Sequence, residues 1–260
     1  MATSARKQFS SKLPSGTGRY LPFVGLVAGG FLWLTVTELS TGVLGNFHPV
    51  DTVTVLGSLL STPAFYDHIW ISLYRFGVSL IICLAIGVPL GIAVGYFTTV
   101  HQASSIVFQL LRMISPLAWF PIALIVFGVG NGAAIFVMVM AGVWPILLNT
   151  AHGIATLEGQ WIEVADSLGA STPATIRRVA LPAVVPELLT GVRLSVGILW
   201  IILVPAEMLG VNTGLGYFIL DARDRFAYAE IPAVMLIIGT IGYLLDLMLR
   251  RVNVAYVRCV

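Results

Sequence analysis

The residues able to do chemistry in this chain are few, and most are charges placed where charge is costly. Arg75 and Glu207 each fall near the end of an apolar stretch, and Arg193 lies a turn or two inside another. An isolated charge in hydrocarbon is expensive, whereas a pair of opposite sign is tolerated. Arg75 and Glu207 are therefore expected to pair, either as a static clamp between helices or as a latch that breaks when a gate opens. Arg193 has three readings: a guanidinium snorkelling to an interface on its alkyl stem, an anion-attracting charge at a mouth, or a partner for Glu187 one or two turns away. No catalytic residue is assigned. The histidines His48, His68, His101 and His152 are scattered, with no two at metal-ligand spacing, and no nucleophile elbow, H-E-x-x-H or C-x-x-C occurs. The only lysines are Lys7 and Lys12, so the lysine-bearing glycine loop that cradles nucleotide phosphates cannot be built from this chain. Cys83 and Cys259 give neither a disulfide framework nor a metal site. No metal or cofactor is expected.

The elements that carry these charges are apolar. Hydrophobic residues make up 58% of the chain and charged residues 10%, against about 25% charge in a soluble domain. That marks a membrane protein, and with apolar stretches of spanning length an all-α integral membrane protein is expected. A net charge of +2, with no basic run longer than pairs such as Arg250–Arg251, gives no support for a nucleic-acid partner. Residues 1–20 read as a polar tail and 21–260 as the membrane domain. Six apolar stretches can be drawn, over 21–39, 72–96, 106–129, 133–153, 184–209 and 231–249. The first is too long for a signal-peptide core and lacks a small-residue cleavage site, so it is taken as a retained span. Arg6, Lys7, Lys12, Arg19, Arg112, Arg177, Arg178, Arg250, Arg251 and Arg258 fall on one side if both termini are cytoplasmic, with Arg223 and Arg225 as exceptions. The positive-inside tendency favours that orientation.

Gly87, Gly91 and Gly95 recur every fourth residue in the second stretch and leave one face of bare backbone. This suits a tight helix crossing, with a flexible hinge near Pro89 as the alternative. The third stretch opens with Pro116 and Pro121, whose freed backbone groups need protein or water rather than lipid. Met113, Ser115 and Trp119 are candidate pathway residues for that reason, joined by Met138 and by Asn149, which follows a further proline break expected at Pro145 in the fourth stretch. Asn149 and Thr150 could equally serve in hydrogen bonds between helices.

Residues 154–182 form a polar excursion between spans. Trp161, Ile162, Ala165 and Leu168 make an apolar stripe over a helical 158–168. Gly169 suits a left-handed helix end. Thr172–Pro173 offers an N-cap and first-turn proline for a second short helix, which stops at Leu181–Pro182. The corner Gly169–Ala170–Ser171 is small enough for another protein to approach its backbone.

This excursion resembles the cytoplasmic EAA loop of the inner-membrane permease subunits of bacterial ABC importers. Glu163, Ala165, Gly169, Val179, Leu181 and Pro182 occupy the motif's places, with Val164 and Val179 substituting for Ala and Ile. The resemblance implies a type I importer permease with six transmembrane helices. Its docking loop would comprise Glu163, Ala165, Asp166, Leu168, Gly169, Ala170, Leu181 and Pro182. It implies as partners two ATP-binding-cassette ATPase subunits that carry the ATP and magnesium, a periplasmic or lipid-anchored solute-binding protein, and membrane lipid, in a bacterial inner membrane. One copy has too few helices to enclose a gated route and match two ATPases, so a homodimer is expected. The likeness extends over most of the chain after residue 65. His68–Arg75, Ser115–Pro121, Ala206–Gly210 and Thr213–Tyr217 are similar to the nitrate/sulfonate/taurine branch. Trp144–Thr150 looks closer to nitrate, bicarbonate and cyanate permeases. The expected cargo is a small inorganic anion, nitrate or nitrite first, bicarbonate or cyanate next, and sulfonates such as taurine after them. A secondary transporter working without ATP is the competing class, and it would need carboxylates near mid-bilayer.

Overall fold

In the computed structural model, residues 20–40, 45, 47–157, 164 and 167–259 are described, and among them every regular element is helical. The helices are α1 (Leu21–Leu39), α2 (Pro49–Ser61), α3 (Pro63–Tyr96), α4 (Thr98–Met113), α5 (Phe120–Phe127), α6 (Asn131–Ala155), α7 (Thr172–Thr175), α8 (Leu181–Gly210), α9 (Leu215–Asp224) and α10 (Glu230–Cys259). By length and composition α3, α6, α8 and α10 can each cross a membrane, and a bent pair including α4 and α5 makes a fifth. The apolar α1 stands in addition to these.

Helix α6 is the centre of the packing. Gly87, Gly91 and Gly95 of α3 lie directly against it. A Cβ on Gly91 would sit 2.7 Å from the Leu147 carbonyl oxygen, and one on Gly95 2.6 Å from that of Ala151. The stripe is therefore a close crossing, and α3 runs unbroken through Pro89. On its other side α6 meets α8, where Gly142 faces Leu199 and Ser195, and Gly191 faces Pro145 and Asn149. Ser195 donates a hydrogen bond to the Gly142 carbonyl at 2.7 Å. Phe76, Met138, Ile146, Leu199 and Leu203 fill the space among the three helices. Lipid gives apolar side chains no reason to leave it, so close backbone approach and interhelical hydrogen bonds hold such a core together.

Four sequence expectations change. The second span starts at Pro63, not 72, because proline at the first helical turn opens the helix before the apolar run begins. The third span, drawn over 106–129 with breaks at its prolines, starts earlier, at Thr98, and bends sharply: α4 and the Pro116–Phe127 segment meet at 92°. Ile114 and Ser115 are extended, with ψ of 127° and 130°, because Pro116 excludes the helical region for the residue before it. Pro145 does not break α6, which continues to Ala155. The second helix of the excursion does not stop at Leu181–Pro182. After α7, residues Ile176–Ala180 form a π-turn that passes straight into α8. Widening the turn there lets the chain accept Pro182, which lacks an N–H and would crowd the preceding turn of a regular helix. Two helices not drawn from hydropathy, α2 and α9, flank the apolar bundle.

Candidate functional site

Arg75 and Glu207 lie 2.7 Å apart, 1% and 0% exposed. Arg75 is twelve residues into α3, well inside the helix rather than at its end. Its Nη1 also donates to the Thr213 carbonyl, its Nη2 to Thr213 Oγ1 and its Nε to Asn131 Oδ1, at 2.7, 2.8 and 2.8 Å. Glu207 accepts from Ser72 Oγ and, at 2.9 Å, from the Gly216 backbone N–H. Ser72 Oγ in turn accepts the Leu215 N–H. His68 Nδ1 accepts the Gly214 N–H at 3.1 Å.

His68, Ser72 and Arg75 stand at i, i+4 and i+7 on one face of α3, so one stripe grips the whole 213–216 loop. That loop can wrap a carboxylate because Gly214 has φ +110°, and a Cβ there would collide with the Glu207 carboxylate. The site thus ties α3, α6, α8 and α9 into one hydrogen-bonded unit in which both charges are matched. Sequence reasoning anticipated the pair but not Ser72, Asn131, Thr213 or His68. The helical spacing of His68, Ser72 and Arg75 was the available signal.

Arg193 does not meet Glu187, whose side chain packs beside Gly153. It pairs instead with Asp246 of α10 at 3.2 Å, and Asp246 also accepts from Arg250 at 2.7 Å. A partner 53 residues away cannot be read from a helical repeat. The two exceptions to the charge rule are neutralised locally, Arg223 by Asp224 and Arg225 by Asp221 and Glu230. Hydrogen bonds to Asp221 and Glu230 push the Arg225 pKa up.

Of the pathway candidates, Met138 is fully buried in the core. Met113 and Ser115 are exposed at the α4–α5 bend and Trp119 is half-buried. Asn149 lines a cavity of about 460 Å³ beside Arg112 and Trp144. Its Nδ2 donates to the Pro145 carbonyl at 2.8 Å within its own helix, and the buried Thr150 hydroxyl has no partner among the described residues. The expected hydrogen bonding of these two between helices is therefore not formed.

In the excursion, Glu163, Ala165 and Asp166, with Trp161 and Ile162, lie outside the described residues. Gly169 adopts the left-handed conformation, φ +71°, with nothing within 4 Å of a built Cβ. Leu168 beside it is 81% exposed, a large apolar side chain that the described residues leave uncovered. Ala170 is half-buried, Leu181 half-buried and Pro182 exposed.

An all-helical chain with several helices able to cross a membrane, tied together by a matched buried ion pair, is a multi-pass membrane protein. The chain belongs to the family of binding-protein-dependent transport system inner membrane components, whose model matches residues 87–258. It is 38% identical over 210 residues to an ABC transporter permease protein of Methanocaldococcus jannaschii, covering 80% of this chain and 76% of that one. It is 36% identical over 237 residues to the bicarbonate transport permease CmpB of Synechocystis, covering 86% and 84%. It is 37% identical over 175 residues to the nitrate import permease NrtB of Leptolyngbya laminosa, covering 67% of this chain and 63% of that relative's length. In fold it is similar to a chain in the inward-facing MetNI methionine ABC transporter, with a TM-score of 0.63, 19% identity, and coverage of 74% and 97%. The family is one of transport subunits rather than enzymes.

Proposed function

We propose that the chain is the translocation subunit of an ATP-driven importer for a small inorganic anion, nitrate or nitrite first and bicarbonate or cyanate next. The observation that carries the reading is the likeness over most of the chain to permeases named for nitrate and bicarbonate. Two copies form the pathway on a two-fold axis in a bacterial inner membrane, with both termini in the cytoplasm. A periplasmic or lipid-anchored binding protein delivers the anion, and two ATPase subunits, which hold the ATP and magnesium, grip the loop around Glu163–Gly169. The direct run from α7 through the π-turn into α8 supports a mechanical role, since a push on the corner reaches a membrane helix without an intervening flexible loop. Arg75 and Glu207 act near the outer gate. Uptake of labelled nitrate, bicarbonate and taurine by vesicles holding the permease, its ATPases and its binding protein tests the assignment. Nitrate or bicarbonate accumulation that requires ATP supports it. Taurine alone favours the sulfonate reading, and uptake without ATP favours a secondary transporter.

Replacing Gly169 probes the corner. With no atom of the described residues within 4 Å, an added methyl acts through left-handed strain of about 1 kcal/mol or through the docked partner. Gly169→Ala is expected to lower ATP-coupled uptake severalfold at unchanged membrane yield. Gly169→Asn, which tolerates the left-handed conformation, separates strain from a clash: recovery of uptake assigns the loss to strain.

A further inference from the structure

Helix α6 is enclosed on the sides that meet α3 and α8, where Gly142, Val143, Ile146, Leu147, Thr150, Ala151, Gly153 and Ile154 are all buried. Beyond its N-terminal part, where Ala133 and Val137 meet Phe120 and Ala123 of α5, its remaining face is open. Trp144, Leu148, His152 and Ala155 recur at intervals of three and four on that face, with Pro145 and Asn149 at its border with α8. The face lines two adjoining cavities with Leu148 as their shared wall. One, of about 460 Å³, is bounded by Arg112, Trp144 and Asn149. The other, of about 360 Å³, is bounded by Thr98, His101 and His152. A face turned to lipid would be apolar along its length; this one carries the His152 imidazole beside the Asn149 amide, and α4 brings His101 and Arg112 to the same two cavities.

Arg112 is exposed near the end of α4 and, like Arg177, Arg178 and Arg251, pairs with no acid among the described residues. Arg75, Arg193, Arg223, Arg225 and Arg250 each have a carboxylate within 4 Å. Arg112 stands in the last turn of α4, just before the extended Ile114–Ser115 bend, and Ile114 and Pro116 line the cavity with it. The cavity walls besides Arg112 and Asn149 are apolar, with Ile114, Met140, Leu194 and Ile198 among them.

We infer that this cavity is a binding site for a monovalent planar oxyanion, held by the Arg112 guanidinium against Trp144 and Asn149; the inference rests on the proposed anion-import function and names its site. One cation matches one negative charge, and a dianion would leave an uncompensated charge against apolar walls. A planar guanidinium presents two parallel N–H groups to two oxygens of a trigonal anion. The indole and aliphatic walls suit a weakly hydrated ion. The neighbouring His101–His152 cavity continues the polar face toward the end of α6 that enters the excursion.

The test uses the permease with its ATPase subunits in nanodiscs of phosphatidylcholine alone. Sodium nitrate is titrated against sodium gluconate at constant ionic strength, and tryptophan fluorescence is read, since nitrate quenches indole on contact. A saturable component is expected above the collisional background. Trp144→Phe and Arg112→Ala should abolish it, and Arg112→Lys should weaken it severalfold because the fork is lost. In ATP-driven vesicles Arg112→Ala should lower nitrate uptake by about tenfold while ATP hydrolysis stimulated by the loaded binding protein stays within about twofold, the scale of one charge-assisted contact. No saturable component in the unaltered protein, or the same component in Arg112→Ala, overturns the site. Nanodiscs containing phosphatidylglycerol form the second arm: quenching that weakens there, with Arg112→Ala uptake unchanged, assigns Arg112 to a lipid phosphate and also overturns it. If the unaltered assembly imports neither nitrate nor bicarbonate, the functional proposal fails, and the titration still decides whether the site binds nitrate.

Discussion

Arg75→Ala is expected to be among the most destabilising single substitutions in this protein, costing about 3–5 kcal/mol. The guanidinium is 1% exposed and satisfies Glu207, Thr213 and Asn131 at once. Removing it strands a fully buried carboxylate whose remaining partners are a hydroxyl and a backbone N–H. The measurement is the melting temperature of detergent-solubilised permease by fluorescence-detected size exclusion. Arg75→Ala should melt well below the unaltered protein, and Glu207→Ala should do the same by stranding the cation. Glu207→Gln separates clamp from latch, because the amide keeps the shape and loses the charge. Full transport with Glu207→Gln removes the latch. Lost transport at near-normal melting temperature supports it. A double Arg75→Met, Glu207→Leu variant should recover part of the stability lost by either alanine substitution, since deleting both buried charges together costs less than stranding one. Equal stability of Arg75→Ala and the unaltered protein would show that the pair is not matched in the way the geometry describes.

Gly91→Leu should break the crossing of α3 on α6. The first added carbon would lie 2.7 Å from both the Leu147 carbonyl oxygen and Thr150 Cβ. Neither is the movable tip of a long side chain, so the helices themselves must separate. Forcing bulk into a packed interior costs about 1–3 kcal/mol, and more where backbone is the obstacle. The expected result is loss of folded permease from the membrane fraction. Gly77→Ala on the same helix is the control. Nothing lies within 4 Å of a Cβ there, so it should be neutral or stabilising by about 0.5–1 kcal/mol through helix propensity. If Gly91→Leu and Gly77→Ala give equal yields, the glycine stripe is not what holds α3 to α6.

Linear patterns made much of this molecule legible. Composition gave the membrane class, because no soluble core can be so poor in charge. The four-residue glycine spacing gave a bare helix face, because that spacing returns to the same side of a helix. The cost of a lone buried charge drew Arg75 toward Glu207 across 132 residues. The motif words around 163–182 carried the family, and residues 87–258 match its model.

Tertiary structure decided what depends on where helices stop and which faces meet. Hydropathy averages over a window, so it merged α4 and α5 into one span, and the prolines marked a break without giving the 92° bend that Pro116 imposes. It gave no sign that Pro182 would be absorbed by a π-turn, because a proline in sequence reads as a stop whether or not the turn can widen. Arg193 was matched to the nearest acid on its own helix, yet Asp246 is brought beside it by the packing of α8 and α10. The open face of α6, with Arg112 at its edge, exists only because α3 and α8 cover the other sides. Sequence alone determined which residues could be buried, charged or bare, since those properties belong to single side chains and short repeats. The choice of partners fell to the fold, since contact between distant segments depends on how whole helices pack.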